Sequence, residues 1–257
     1  MLTEPKLAEP KLDERQIAHY RDVGYVVLPG AFSAAEVDRM GRWSDELLAM
    51  PEAPGGHWVY WEKSLKQPGK KIVSRVENIV PFHTGFRDLA RVLTGICGQV
   101  FGEPAVLFKE KINFKMPGGD GFKPHQDSQA GWGRYASRFC SVLVCIDDAT
   151  IENGCLQIVA GRHQGTRYSE WAPLTAADMA GMELIPCPTS RGDIILFDSY
   201  TPHASEPNMT DRVRRIYFAT YNRLSEGDHL AAYYADKRKS YPPDIEREKG
   251  REYVFRV

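Results

Sequence analysis

The sequence predicts a mainly β domain, a sandwich or barrel, with helices on its flank. Two observations carry this expectation. From residue 105 onward short apolar runs recur between turn-forming clusters, whereas before it most apolar residues follow a helical period. Size agrees, since 257 residues with a 42% hydrophobic fraction suit one all-β or mixed domain with a real core. Residues 1–14 are polar, contain two prolines and show no periodicity, so they read as a loose N-terminal arm ahead of one domain over 15–257.

The flanking helices come first. Glu14 to Asp22 predicts a short helix leading into a strand over Gly24 to Pro29, and His19 within it has no partner at ligand spacing, which makes it a surface or interface residue. Ser33 followed by Glu36 is a capping box, and Val37, Met40, Trp43, Leu47 and Leu48 form the apolar stripe of the next helix. The region from Pro51 to Val73 then breaks the pattern with Gly55-Gly56 running into Trp58, Tyr60, Trp61 and Lys63. It has two readings, a loop folded over a pocket or an aromatic anchor fastening a loop to the core. Arg75, Glu77 and Asn78 are candidates for a substrate site and equally for structural ion pairs. A helix starting at Thr84 buries Phe86, Leu89, Val92 and Leu93.

The β region follows in order. Strands are expected at Ala105–Phe108, Lys111–Lys115, Ser141–Ile146, Cys155–Val159, Asp193–Phe197 and Arg215–Tyr221, with a helical excursion over Pro173 to Met182. The charged segment from Tyr233, ending in Tyr253-Val-Phe255, reads as a tail tied to the domain.

Composition narrows the function. A net charge of −1 supplies no broad positive field for nucleic acid. No run approaches the length of a membrane span and the N-terminus lacks a secretory apolar segment, so a cytoplasmic protein without a membrane partner is expected. Five cysteines, odd in number and mostly in apolar segments, fit reduced thiols.

The chemistry is concentrated around Lys123-Pro124-His125-Gln126-Asp127. In an extended segment residues i and i+2 point the same way, so His125 and Asp127 converge while Gln126 faces away. A third ligand is best sought at His203, just beyond the apolar run Asp193–Phe197. Two imidazoles and one carboxylate are the facial triad of non-haem Fe(II) oxygenases; the bland alternative is a surface His-x-Asp and an unrelated histidine. Downstream, Arg212 and Arg214 share one face of an extended segment and Arg215 takes the other, which offers a guanidinium fork for a carboxylate.

At this point the chain closely resembles the phytanoyl-CoA dioxygenase family of Fe(II)- and 2-oxoglutarate-dependent oxygenases. The resemblance rests on Lys111-Ile-Asn-Phe-Lys115, Pro124-His125-Gln126-Asp127, Glu152-Asn153-Gly154-Cys155-Leu156, Gly161-Arg-His163-Gln-Gly165, and His203-Ala-Ser205 followed by Arg214, from about residue 15 onward. It implies a double-stranded β-helix, the cupin-like jelly roll. It also implies iron on His125, Asp127 and His203, with Arg214 and Ser205 on the distal carboxylate of 2-oxoglutarate and Lys111 lining the cosubstrate site. A carboxylate in the triad favours hydroxylation over halogenation, with molecular oxygen consumed. His163 is expected to lie outside the iron shell.

The primary substrate is harder to read. Gln129, Trp132, Arg134 and Tyr135 follow the metal motif and could form a substrate wall with Trp58, Tyr60, Trp61, Lys63 and Arg75. Cations suit a phosphonate or carboxylate and aromatic faces suit an ammonium. A small zwitterion such as an aminoalkylphosphonate is therefore the first expectation. A natural-product scaffold is the alternative, and an iron-retaining jelly-roll binding protein without turnover is the alternative from another class.

Overall fold

The computed structural model describes residues 5–164 and 168–254. Residues 1–4 of the arm, Gly165 of the Gly161–Gly165 motif and Phe255 of the C-terminal end lie outside the described residues. The N-terminal half supplies helix α1 (Glu14–Val23), strand β1 (Tyr25–Leu28), helix α2 (Ala34–Ala49), strands β2 (Trp58–Lys63) and β3 (Lys71–Glu77), and helix α3 (Thr84–Phe101). The β region supplies β4 (Ala105–Lys115), β5 (Phe122–His125), β6 (Phe139–Cys145), β7 (Leu156–Ile158), β8 (Ile185–Cys187), β9 (Ile194–Asp198), β10 (His203–Ser205) and β11 (Arg214–Arg223). Helix α4 (Leu230–Ser240) closes the order.

Two antiparallel sheets form a double-stranded β-helix. The larger runs β1-β9-β6-β11-β4-β3-β2 and the smaller β5-β10-β7-β8. Strand alternation sorts the larger sheet's side chains. Val142, Val144, Leu196, Tyr217, Ala219 and Tyr221 face outward into a core completed by Met40, Leu47, Phe86, Leu89 and Leu93 of α2 and α3. Leu143, Cys145, Ile195, Phe197 and Ile216 face inward against Leu156 and Ile158 of the smaller sheet. A third, aromatic cluster joins Trp58, Tyr60, Phe108, Trp132, Phe139, Tyr233 and Tyr234 where α4 packs on the sheet.

Local signals explain the helix ends. Asp13 with Gln16 and Ser33 with Glu36 form the capping boxes of α1 and α2. His83, rather than a hydroxyl or carboxylate, caps α3 by accepting from Phe86 N. Gly24 ends α1 at φ 88°, and a Cβ there would meet the His163 ring at 2.5 Å, so only glycine admits that contact.

Several expectations change. The arm is not loose in its described part: Leu12 N donates to Gln99 Oε1 at 2.9 Å and the Leu12 side chain is buried. Leu48 is exposed and Val92 only half-buried, each at the edge of its helix stripe. The strands expected at 105–108 and 111–115 are one strand, β4, with a register shift opposite Thr220/Tyr221 that leaves Phe108 unpaired. The excursion over Pro173 to Met182 stays at isolated turns, such as Met179 N to Thr175 O, 3.0 Å. The tail contains a helix, α4, whose Tyr233 and Tyr234 are buried.

Candidate metal centre and its cavity

The metal group is built by strand pairing. His125 ends β5 and His203 opens β10, and the two are register partners in the smaller sheet. Their ring centroids lie 4.3 Å apart. Asp127 begins a short 3-10 turn after the extended Gln126, which sends its carboxylate to the same side as His125, as the two-residue spacing predicts. One ligand atom from each of His125, Asp127 and His203 lies within 4.8 Å of the others. Gln126 turns into the protein, where its side-chain amide donates to Tyr200 O at 2.7 Å.

The surrounding hydrogen bonds fix which lone pairs face inward. His125 Nδ1 lies 2.7 Å from Lys123 O and His203 Nδ1 lies 3.0 Å from Thr201 O, so each Nδ1–H donates to a carbonyl and leaves Nε2 as the ligand atom. Ser141 donates to Asp127 Oδ2 at 2.9 Å and lies 3.0 Å from Thr220 Oγ1. Burial and then the neighbouring His203 push His125 down to about 3; burial also lowers His203. For Asp127, burial would raise the pKa, but the neighbouring His203 and Lys109 outweigh it and hold the carboxyl below its ordinary value. Neutral imidazoles and an ionised carboxylate are the forms that bind a divalent cation.

A cavity of about 430 Å³ opens from this group. Arg214, Ser205, Lys111, Asn113 and Phe122 line it, together with Lys109, Trp132, Tyr135, Lys237 and Glu77. Arg214 is buried; its Nη1 donates to Gly154 O at 2.9 Å and its Nε has no hydrogen-bond partner among the described residues. A buried guanidinium edge of this kind fits a carboxylate. Burial lowers its pKa to about 10, so it stays protonated near neutrality. Gly154, at φ 75°, has no room for a Cβ, which would lie 2.0 Å from Glu206 O, and this lets its carbonyl reach Arg214. Ser205 Oγ accepts from Lys115 Nζ at 2.8 Å, which leaves its own O–H free to donate.

Arg212 is exposed. Arg215 faces the opposite side, paired with Asp147 at 2.9 Å and Asp45 of α2 at 3.0 Å. Only Arg214 of the three lines the cavity. His163 packs on Gly24, with Nε2 3.2 Å from Arg21 O, and takes no part in the metal group.

The substrate-wall expectation divides. Trp132 lines the cavity, as do Arg134 and Tyr135. Trp58, Tyr60, Trp61, Lys63, Arg75 and Gln129 do not. The aromatic stretch is strand β2 at the edge of the larger sheet, not a lid. Alternation buries Trp58 against Tyr234 and Tyr60 against Tyr241, while Trp61 turns outward to Glu52 and Lys63 is exposed. Arg75 stacks on Tyr60 at 4.2 Å and pairs with Glu77 at 2.6 Å. Gln129 braces the turn after the metal motif, its side chain accepting from Gln126 N and donating to Ser169 O and Ala172 O. Lys109, Trp171, Lys237, Arg251 and Tyr253 also line the cavity, and no motif or spacing in the sequence points to them.

Known proteins agree with this geometry. The family model for phytanoyl-CoA dioxygenase (PhyH) matches residues 20–216. The chain is 38% identical over 244 residues to a 2-aminoethylphosphonate dioxygenase from Uncultured bacterium HF130_AEPn_1, covering 93% of each chain. It is 36% identical over 234 residues to a methylphosphonate hydroxylase from Gimesia maris, covering 90% of this chain and 88% of that one. Among solved structures, EctD from S. alaskensis with 2-oxoglutarate and 5-hydroxyectoine superposes with a TM-score of 0.73 at 23% identity, over 88% of this chain and 80% of that one, a likeness of fold. With a matching family model, close relatives over nearly the whole chain and a His-Asp-His group at the cavity, the chain belongs to the phytanoyl-CoA dioxygenase family and is an Fe(II)- and 2-oxoglutarate-dependent oxygenase.

Proposed function

We propose that the protein hydroxylates a small organophosphonate at carbon, with 2-aminoethylphosphonate as the first candidate. The charge of the cavity wall carries this reading. Among the described residues, six basic side chains, Lys109, Lys111, Arg134, Arg214, Lys237 and Arg251, line the cavity with only three carboxylates, Glu77, Asp127 and Glu252. Asp127 is committed to the metal and Arg214 to the cosubstrate, so the rest of the wall retains an excess of positive charge suited to a compact anion. Trp132, Tyr135, Tyr233 and Tyr241 add ring faces that suit an ammonium group. The names of the relatives at 38% and 36% identity support the same substrate class.

In this reading His125, Asp127 and His203 hold iron, and Arg214 with the Ser205 hydroxyl orients the distal carboxylate of 2-oxoglutarate. Lys111 lines the floor between the two ends, its ammonium 5.0 Å from the Phe218 ring and 5.4 Å from that of Phe122. The iron and cosubstrate together supply oxidative decarboxylation, in which one atom of oxygen ends in succinate and the other in the new hydroxyl, with carbon dioxide released. The protein orients the substrate's C–H bond and keeps water from the reacting face. All five cysteines are free and four are buried, which supports a reducing, cytoplasmic setting.

The test is oxygen consumption with Fe(II) and 2-oxoglutarate across phosphonates, amino acids, acyl-CoAs and aromatic scaffolds. Stimulation by 2-aminoethylphosphonate, with a product one oxygen atom heavier that keeps its carbon–phosphorus bond, is expected. A panel in which no phosphonate yields hydroxylated product overturns the reading.

A further inference from the structure

We infer that Lys109 and Lys237 seat the dianionic head of the primary substrate, and that this pair sets a preference for a phosphonate over a monoanionic group of similar shape. The inference rests on the phosphonate reading above and goes on to assign the residues that recognise the head group.

Strand β4 carries Lys109, Lys111 and Lys115 two and four residues apart, so along the regular part of the strand they share the inward face. At one end Lys115 donates to Ser205 Oγ, Glu206 O and, at 3.4 Å, Gly154 O. That end also has Arg214, so the anionic ends of 2-oxoglutarate do not call on Lys109. At the other end the Lys109 ammonium lies 4.2 Å from the centroid of the Trp132 ring and, among the described residues, makes no hydrogen bond or ion pair. An ammonium that lines a cavity over a ring face and is held in no ion pair is placed to bind an anion from that cavity.

Lys237 reaches the same wall from α4. Its ammonium contacts Glu77 Oε2, but Glu77 also accepts from Arg75 Nε at 2.6 Å, so one carboxylate serves two cations. The side chains of Arg75 and Glu77 are almost fully buried. Lys237 thus shares its carboxylate, and Lys109 adds a cation that no ion pair holds among the described residues. Cations crowded on one low-dielectric wall repel each other, and burial, opposed by Glu77 and helped by repulsion from Arg75 and Lys109, lowers Lys237 to about 8. A dianion with three oxygens relieves both lysines at once. A sulfonate has the same three oxygens and half the charge. Glu77 holds Lys237 in position and keeps the wall from repelling the substrate's own ammonium.

The decisive experiment uses the full chain with Fe(II) and 2-oxoglutarate, and compares 2-aminoethylphosphonate with 2-aminoethylsulfonate in near-neutral buffer, where Lys237 keeps its charge. Lys109→Met and Lys237→Met are each expected to raise KM for the phosphonate about 10- to 100-fold, the loss of one charge-assisted contact. The sulfonate should suffer a smaller factor, and Lys109→Arg should recover most of the loss. Lys239→Met, an exposed α4 lysine outside the cavity, serves as the control. If Lys109→Met fails to fold, Lys109→Arg and Lys237→Met still decide the matter. A parent enzyme active on the phosphonate, with KM unchanged to within about twofold in the methionine variants or with equal losses for phosphonate and sulfonate, overturns the inference alone. A parent enzyme stimulated by no phosphonate overturns the reading beneath it as well.

Discussion

At the scale of single residues, the site divides into groups that touch ligands and groups that aim them. Ser141 is of the second kind, because its hydroxyl donates to Asp127 Oδ2 and nothing else on β6 reaches that carboxylate among the hydrogen bonds described. Ser141→Ala should weaken Fe(II) binding by about 10- to 100-fold, measured by metal titration, with activity recovering in excess iron. The three arginines separate by the same logic. Arg214→Leu should raise KM for 2-oxoglutarate by at least about tenfold or abolish turnover, Arg212→Leu should leave it unchanged, and Arg215→Leu should act on stability through its lost pairs with Asp147 and Asp45. Steady-state kinetics with thermal melts distinguish the three. Glu110 gives a prediction about pH. Its buried carboxylate accepts from Ile79 N, Val80 N and the Tyr234 hydroxyl, yet burial raises its pKa to about 7. The folded state thus holds this proton more tightly than the unfolded chain, where glutamate titrates near about 4.3. Its contribution is fully present below that value and is lost as the pH rises through about 7, on the order of 3 kcal/mol. Glu110→Gln keeps an acceptor for the backbone and should flatten the fall of the urea midpoint from about pH 5 to pH 8. Glu62, also raised to about 7 by burial, has the same sign in both proteins, so the difference isolates Glu110.

At the scale of elements, what the sequence revealed follows from how local each signal is. His125 and Asp127 were legible because a two-residue period alone sets their direction, and Ser33 with Glu36 because a capping box closes within one turn. Arg214 was separable from Arg215 by strand alternation, but its place beside Ser205 came only from the family resemblance. Strand β2 shows where local reading fails. Its aromatics carry no sign of whether they cover a cavity or a sheet edge, and that is decided by α4, some 170 residues later in the chain, which buries Trp58 and leaves Trp61 out. Lys109 and Lys237 were invisible for the same reason: sheet order and helix docking bring them to one cavity. The roles of the β2 aromatics can be tested directly. Trp61→Ala, at an exposed position, should leave substrate KM and kcat unchanged. Tyr60→Ala removes a fully buried ring stacked on Tyr241 and should cost about 3–5 kcal/mol in denaturant unfolding. A rise in substrate KM for a well-folded Trp61→Ala would return β2 to the substrate site.

At the scale of the whole molecule, the cavity is closed by well-separated parts of the chain, since β4 and β11 contribute to its lining and Arg251, Glu252, Tyr253 and Val254 form part of its wall. Those four residues belong to none of the three apolar clusters, and their described anchors are peripheral: Arg247 lies 5.5 Å from the Tyr253 ring, Arg251 5.0 Å from it, and Glu248 N donates to the Tyr253 hydroxyl at 3.4 Å. A segment that lines a site without supporting the core can be removed at little cost to the fold. Replacing Arg251, Glu252, Tyr253 and Val254 together by a Gly-Ser linker should therefore leave the unfolding midpoint nearly unchanged and leave binding of Fe(II) and 2-oxoglutarate intact, because His125, His203 and Arg214 lie on the sheets and Asp127 on the turn that follows β5. The same replacement removes one cation and one carboxylate from the wall and admits water to it. KM for the primary substrate should rise by about tenfold or more, and more succinate should form per hydroxylated product as cosubstrate decay escapes coupling to substrate oxidation. The ratio of succinate to product, measured on the same samples, separates loss of enclosure from simple loss of active enzyme, which would lower both together. An unchanged ratio with unchanged KM would mean that the cavity is complete without its C-terminal wall.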